Sequence, residues 1–202
     1  MASDLNPMIW PASATRNSQG EISIGAVSVT ELAKQYGTPL YVFDEADVRK
    51  RARDYVAAFT TSDIETSVHY AGKAFITTKV AQWVNQEGLG IDVAGGGELV
   101  MALAAGINPA KIVVHGNAKT DDELEMAVKA GVGTIVIDNF DDIDRLERIV
   151  KGEQAVLVRI IPGVLPDTHL ANATGQDDSK FGLSISDAKV AIERLKASKK
   201  LR

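Results

Sequence analysis

Thr134-Ile135-Val136-Ile137-Asp138-Asn139 is a short, unbroken apolar run that ends on two polar residues. A strand with one solvated face alternates apolar and polar side chains. A continuous β-branched run fits a strand covered on both faces, as in a parallel sheet. Two more runs have the same form: Ile112-Val113-Val114 before His115, and Ala155-Val156-Leu157-Val158 before Arg159. Outward from these, strand-like runs begin near Ser67, Ile91, Lys111, Thr134 and Ala155, at intervals of 24, 20, 23 and 21 residues. Helical patterns at about 74–87, 97–105, 120–130 and 140–151 fill the gaps, and Gly88, Gly106 and Gly131 stand just past three of them as stops. Asp121 and Asp122 put negative charge in a first turn, where the helix dipole favours it. Five β/α units at this spacing predict an α/β fold. It is either a doubly wound sheet or part of a (β/α)8 TIM-type barrel, and spacing alone does not separate the two.

The flanks are less regular. Residues 1–20 hold Pro7, Pro11, Asn17 and Gly20 with little periodicity and read as an extended surface arm. A strand is expected over 21–29. Ser28-Val29-Thr30-Glu31 then starts a short helix closed by Gly37 and Pro39. A four-residue strand is expected over 40–43. Asp44 caps a helix to about Phe59, with Val48, Ala52, Tyr55, Val56 and Phe59 on one face. At the other end a long loop over 162–182 precedes a last helix over 186–197, capped by Ser186 and Asp187. Lys200-Leu201-Arg202 stand where a sixth strand begins, so the sequence is expected to be the N-terminal part of a longer protein. Residues 1–43 would be an N-terminal strand and helix extension, and residues 44–202 the first part of the barrel.

Hydrophobic residues make up 45% of the 202 and charged residues 24%, the balance of an ordinary soluble domain. Lys plus Arg number 22 against 27 Asp plus Glu, a net charge of −5, and no basic face suggests a nucleic-acid partner. The basic run over 196–202 reads as a solvated helix end. The chain has no cysteine, which excludes disulfides, thiolate metal sites and a cysteine nucleophile within it. No apolar run approaches the ~18 residues of a membrane span, and Met1 to Arg16 lack a signal pattern. A cytoplasmic protein without a membrane partner is expected.

Parallel β/α proteins bind ligands at the carboxyl ends of their strands. Those ends deliver Lys73, then Asp92 with Ala94-Gly95-Gly96-Gly97-Glu98, then His115-Gly116-Asn117-Ala118-Lys119, then Asp138-Asn139, then Arg159. A loop with His169, Thr174-Gly175 and Ser179-Lys180-Phe181-Gly182 follows. Lys73 ends the run Ser67-Val68-His69-Tyr70-Ala71-Gly72 with no acid beside it. Desolvation there would disfavour the charged amine and make it a nucleophile toward a carbonyl; the alternative is a lysine that snorkels to solvent. Asp92 lies within a strand and needs a partner, for which Lys73 and Arg159 are candidates. The triple glycine suits either a phosphate at a helix start or a tight turn with close strand–helix packing. It lacks the G-x-G-x-x-G spacing of a dinucleotide fingerprint. His69 shares the strand face of Lys73 and reads as a hydrogen-bonded core histidine. His115 is open to either role, and His169 suits a surface. Three scattered histidines without ligand spacing give no reason to expect a metal site.

Taken in order, Val68-His69-Tyr70-Ala71-Gly72-Lys73-Ala74, Asp92-Val93-Ala94-Gly95-Gly96-Gly97-Glu98-Leu99, His115-Gly116-Asn117-Ala118-Lys119, Arg159, and Thr168-His169 through Gly182 resemble the motifs of the fold-type III pyridoxal-phosphate decarboxylases. With the opening Tyr36-Gly37-Thr38-Pro39-Leu40-Tyr41-Val42-Phe43-Asp44, the resemblance is to the diaminopimelate decarboxylases among them, over about residues 30 to 185. It implies that Lys73 is the catalytic residue and binds pyridoxal 5'-phosphate covalently. Asp92, His115 and Arg159 would also bind the cofactor, with Arg159 orienting Lys73 or the ring, and Glu98 and Asn117 would stand behind them. It implies an amino-acid substrate, decarboxylation of meso-diaminopimelate to lysine, and a homodimer with shared sites. Ornithine, arginine or a carboxylated polyamine is the alternative substrate. A non-catalytic cofactor-binding homologue is a third reading, which the intact Lys73 opposes. Gly95 stands where the family commonly has serine. The family's phosphate cup, the acid on its pyridine nitrogen and its C-terminal β domain match nothing up to Arg202. By the same resemblance residues 1–43 belong to or pack on that β domain, and the 202 residues alone are expected to be inactive.

Overall fold

The computed structural model describes residues 5–60, 63–163 and 181–202. The chain falls into two compact units, Met1–Thr66 and Ser67–Arg202.

In the first unit, β1 (Thr15–Arg16), β2 (Ile22–Ile24) and β3 (Val27–Ser28) form a small antiparallel sheet in that order. Two expectations change here. The expected arm contributes β1, with Thr15 opposite Ser23. The expected single strand over 21–29 is two strands, because Gly25 and Ala26 both take positive φ, as a tight two-residue hairpin requires. Helix α1 (Val29–Tyr36) starts and stops as read: the Ser28 hydroxyl accepts from the Thr30 and Glu31 amides, and Gly37 closes it at φ +81. Helix α2 (Glu45–Phe59) is capped by Asp44. Its expected apolar face is only partly buried, at Ala52, while Tyr55 and Phe59 are exposed. Residues 40–43, expected as a strand, lie in neither sheet. A strand exists only as part of a ladder, and this apolar run has the composition without the partner strand.

The second unit carries the regular β/α alternation. Its strands are β4 (His69–Ala71), β5 (Gly90–Val93), β6 (Ile112–Val114), β7 (Thr134–Ile137) and β8 (Val156–Val158). They pair in parallel in strict sequence order, β4-β5-β6-β7-β8. Each register step is close to a whole β/α unit, with Ile91 opposite Ile112 and Ile135 opposite Val156. That order decides what spacing left open. A doubly wound sheet reverses direction at a switch point, whereas this sheet winds one way throughout, as a barrel does. Among the described residues the sheet has five strands and is open rather than closed. Leu201 forms a parallel bridge to Gln154, and the Val156 amide donates to the Arg202 carbonyl at 2.9 Å, where a sixth strand was expected.

Helices α3 (Thr78–Gln86), α4 (Gly96–Ala104), α5 (Asp121–Ala130) and α6 (Phe140–Ile149) follow β4 to β7 in turn. Leu99, Leu124 and Leu146 on α4, α5 and α6 pack with Ile91, Val93, Ile112, Ile135 and Ile137 into one core. Burying each such side chain is worth about 1.5–3 kcal/mol, so the three central strands anchor the unit. The edge strands are less covered, and Leu157 of β8 is 56% exposed. Helix α7 (Ile185–Ala197) begins one residue before the expected range, and its cap is Ser184 rather than Ser186 and Asp187. The Ser184 hydroxyl accepts from the Asp187 amide at 3.1 Å. Among the described residues no helix is long and apolar enough to cross a membrane.

Candidate active site

The parallel, singly wound sheet brings the carboxyl ends of all five strands to one edge, and the polar residues read from the sequence stand there. Lys73 sits in a 3-10 turn, Gly72–Ala74, directly after β4. Gly72 is buried in that turn because a Cβ on it would meet the Asp92 carbonyl at 2.9 Å and the Glu98 carboxylate at 3.2 Å. The Tyr70 hydroxyl donates to the Phe75 carbonyl at 2.7 Å and closes the turn from the other side. Lys73 is therefore placed by a tight, side-chain-free approach of β4 to β5. The lysine itself is exposed, so of the two readings of its environment the structure gives the one that reaches solvent. β4 is an edge strand, and the turn lifts Lys73 off its alternating faces.

Asp92 on β5 is half-buried, and its partner is neither Lys73 nor Arg159 but His115, whose Nδ1 lies 3.3 Å from both carboxylate oxygens. The register explains the choice. Val93 is opposite Val114, and the His115 amide donates to the Val93 carbonyl at 2.7 Å, so His115 stands one strand away. Arg159 follows β8, three strands from Asp92 or roughly 14 Å at ordinary strand spacing.

Arg159 pairs instead with Asp138, the residue after β7: Nη1 to Oδ1 is 3.0 Å. Its guanidinium carbon lies 4.5 Å from the centre of the Phe181 ring, a cation–π arrangement. Asp138 was read as a strand end but not as a site residue. The available signal was a carboxylate directly after an unbroken apolar run, a position that buries the charge. Behind it, Asp142 on α6 is fully buried and accepts from the Asp138 amide at 2.9 Å. Asp142 also pairs with Lys119 at 2.8 Å and Arg145 at 3.2 Å. Lys119, quoted only as the end of a motif, is 4% exposed and belongs to this ion cluster.

Glu98, in the first turn of α4, reaches back to accept from the Ala94 amide at 2.8 Å beside the Gly72 turn, so it stands behind Lys73. Asn117 lies half-buried in the loop after β6. The triple glycine takes the packing role. The Gly96 amide at the start of α4 donates to Glu123 Oε1 at 2.7 Å, and a Cβ on Gly96 would meet the Glu123 side chain at 3.0 Å. Amides of Thr120 and Gly96 hold the Glu123 carboxyl below its usual range. The Gly96 amide at this helix start is thus already taken by a carboxylate. Thr168, His169, Thr174, Gly175, Ser179 and Lys180 lie outside the described residues.

His69 packs against Gly90, where any Cβ would collide with its ring. Burial pushes its pKa below the ordinary value; the Asp92 charge opposes this and Lys111 reinforces it. A histidine whose folded pKa is depressed takes up its proton more readily when unfolded. Its contribution to stability is present above the unfolded pKa, about 6.5, and is lost as pH falls through the folded value. The thermal midpoint is expected to fall between pH 7.5 and 5.5, and His69→Gln should flatten that dependence. An unchanged slope in the variant would remove His69 as its source.

A lysine amine, a carboxylate–imidazole pair and a clamped guanidinium on one edge are compatible with the aldehyde-bearing aromatic cofactor that the resemblance implies. The amine can engage the aldehyde and the other groups the ring, while the phosphate would have to be held elsewhere.

Comparison with known proteins agrees with this chemistry. Residues 45–202 match the family model for the pyridoxal-dependent decarboxylases, pyridoxal binding domain. A diaminopimelate decarboxylase of Mycobacterium tuberculosis is 46% identical over 98% of this chain and 45% of its own length. One from Halalkalibacterium halodurans is 42% identical over 94% and 44%. Among solved structures, the diaminopimelate decarboxylase of M. jannaschii in complex with L-lysine superposes with a TM-score of 0.83 at 30% identity, covering 95% of this chain and 46% of that one. The chain thus spans somewhat less than half the length of the relatives it matches.

Proposed function

We propose, from the premise that this chain belongs to the pyridoxal-dependent decarboxylases, that it supplies the lysine-bearing part of a site removing CO2 from meso-diaminopimelate to give lysine. The observation that carries the reading is Lys73, presented on its own turn at the same sheet edge as the Asp92–His115 pair and Arg159. Pyridoxal 5'-phosphate, when bound, supplies the electron sink for the carbanion left by decarboxylation. Lys73 offers the amine that holds the cofactor's aldehyde. Asp92 fixes the His115 ring by its Nδ1 edge and so sets which nitrogen and which face remain available. Arg159 presents a fixed positive charge. Glu98 stands behind the ends of β4 and β5, and Asn117 behind that of β6.

Diaminopimelate is favoured as substrate because relatives at 41–46% identity carry that name, and because the superposing M. jannaschii enzyme is a complex with lysine, the product of that reaction. The protein acts as a cytoplasmic homodimer, and residues 1–43 belong with a β domain supplied by the remainder of the protein; both statements rest on the family resemblance. The test is CO2 release by the protein that carries this sequence, loaded with pyridoxal phosphate and offered meso-diaminopimelate, ornithine and arginine separately. Diaminopimelate is expected to be consumed with a kcat/KM at least ~100-fold above the others, about 2.7 kcal/mol of discrimination. Equal use of ornithine would overturn the substrate. Release of no CO2 from any of the three, with the cofactor bound to lysine, would favour the non-catalytic reading.

A further inference from the structure

Asp138 is 2% exposed, and its two carboxylate oxygens are divided between two segments. Oδ1 accepts from Arg159 Nη1 at 3.0 Å, and Oδ2 accepts from the Gly182 amide at 2.9 Å. Its own amide donates to Asp142, which Lys119 and Arg145 hold in turn. Asp138 is thus fixed at its main chain by a buried ion cluster, while its side chain joins β8's end to the segment that returns at 181–183. That segment runs beside Arg159: the Leu183 amide donates to the Arg159 carbonyl at 2.9 Å, and the Ile161 amide to the Leu183 carbonyl at 2.8 Å. Gly182, at φ +71, allows the close approach, since a Cβ there would meet the Arg159 carbonyl at 3.0 Å and its Cγ at 3.1 Å. Phe181 lies against the guanidinium. An arginine at a strand end has many rotamers and loses their entropy when a ligand fixes it. Here the carboxylate and the ring remove that freedom before any ligand arrives, which is preorganisation.

We infer that Asp138 is a positioning residue, holding the Arg159 guanidinium in one orientation at the strand ends and, through the Gly182 amide, fastening the segment that covers it. The inference rests on the reading of Arg159 as a cofactor-facing residue. A carboxylate that merely supported the fold would harm the protein equally whether or not Arg159 were present. One that acts through Arg159 has nothing left to do once the guanidinium is gone.

The experiment is a double-mutant cycle of Asp138→Asn and Arg159→Met in the protein that carries this sequence. The first readout is the dissociation constant for pyridoxal phosphate, followed by the visible absorbance of the lysine-bound cofactor. Each single substitution is expected to weaken binding about tenfold, and the double no more than about twofold beyond Arg159→Met alone. Losses that multiply to about a hundredfold would overturn the inference. The second readout needs no cofactor: Arg159→Met strands a buried carboxylate, so adding Asp138→Asn should raise the thermal midpoint of that variant. A further drop would count against the pairing. Arg159→Lys leaves a charge opposite Asp138 and loses the planar fork. Binding as weak as that of Arg159→Met supports orientation, and unchanged binding overturns it. Absence of lysine-bound cofactor in the unsubstituted protein would instead defeat the functional reading, a result distinct from either failure.

Discussion

Lys73→Ala is expected to abolish the visible absorbance of lysine-bound pyridoxal phosphate and to lower decarboxylation by at least ~10³-fold, about 4 kcal/mol of transition-state stabilisation. The amine is the group that bonds to the cofactor's aldehyde, and no neighbour on the described strand ends offers another. Lys119 is the other lysine near them, but it is buried and tied to Asp142. Because Lys73 is exposed, its removal should leave stability within about 0.5 kcal/mol, as for other surface changes. Loss of chemistry without loss of fold separates a nucleophile from a snorkelling strand-end lysine, which would lose neither. Lys73→Arg sharpens the test. It retains a charge and a long stem, yet its guanidinium stays protonated and cannot attack a carbonyl, so it should behave as the alanine variant does. Absorbance that survives either substitution would remove Lys73 from its assigned role.

The β/α register was legible because it is written in local chemistry. Continuous apolar runs such as Thr134 to Ile137 specify strands, and glycines at 88, 106 and 131 stop helices at positive φ. The strand order was not legible, since it is a tertiary fact: the same runs suit a sheet that reverses and one that does not. Residues 40–43 failed for a related reason. Their composition fits a strand, but a strand requires a partner that no local signal guarantees. The same division holds at the site. Lys73, His115 and Arg159 were singled out because each ends a strand-like run in a fold that gathers strand ends, and Asp92 because it is a carboxylate within one. Their pairings were misjudged because the sequence gives no distance across the sheet: His115 reaches Asp92 from the adjacent strand, and Arg159 is satisfied by Asp138 from its own neighbour. Asp142 carried no usable signal. In Asp141-Asp142-Ile143-Asp144 it resembles an ordinary acidic first turn, and only its burial against Lys119 and the Asp138 amide distinguishes it from the exposed acids beside it.

Asp142→Ala is expected to be the most destabilising single change in the second unit, costing about 3–5 kcal/mol. That is a large part of the 5–15 kcal/mol available to a typical domain. The carboxylate is wholly buried and serves three donors: the Lys119 amine at 2.8 Å, the Arg145 guanidinium at 3.2 Å and the Asp138 amide at 2.9 Å. Arg145 can retreat to Asp141 at 3.0 Å and Asp121 at 3.7 Å on a wetter surface. Lys119, at 4% exposure, retains the Gly116 carbonyl but loses its direct ion-pair partner, with only the more distant Glu123 carboxylate left nearby. The cost is therefore that of stranding a buried ammonium rather than of losing an attraction, and the two are separable. Replacing both members, as Lys119→Met with Asp142→Leu, removes the charge with its partner and should recover most of the loss. A deficit of about 1 kcal/mol should remain from the Asp138 amide, which no longer finds an acceptor. Chemical denaturation of the single and double variants measures both quantities. A double variant no more stable than Asp142→Ala would mean that the cost lies in packing of the α6 start and not in the buried charge. The retained deficit also has a functional reading: Asp138 would lose its anchor while keeping its carboxylate, so the double variant should fold well and still bind pyridoxal phosphate less tightly than the unsubstituted protein.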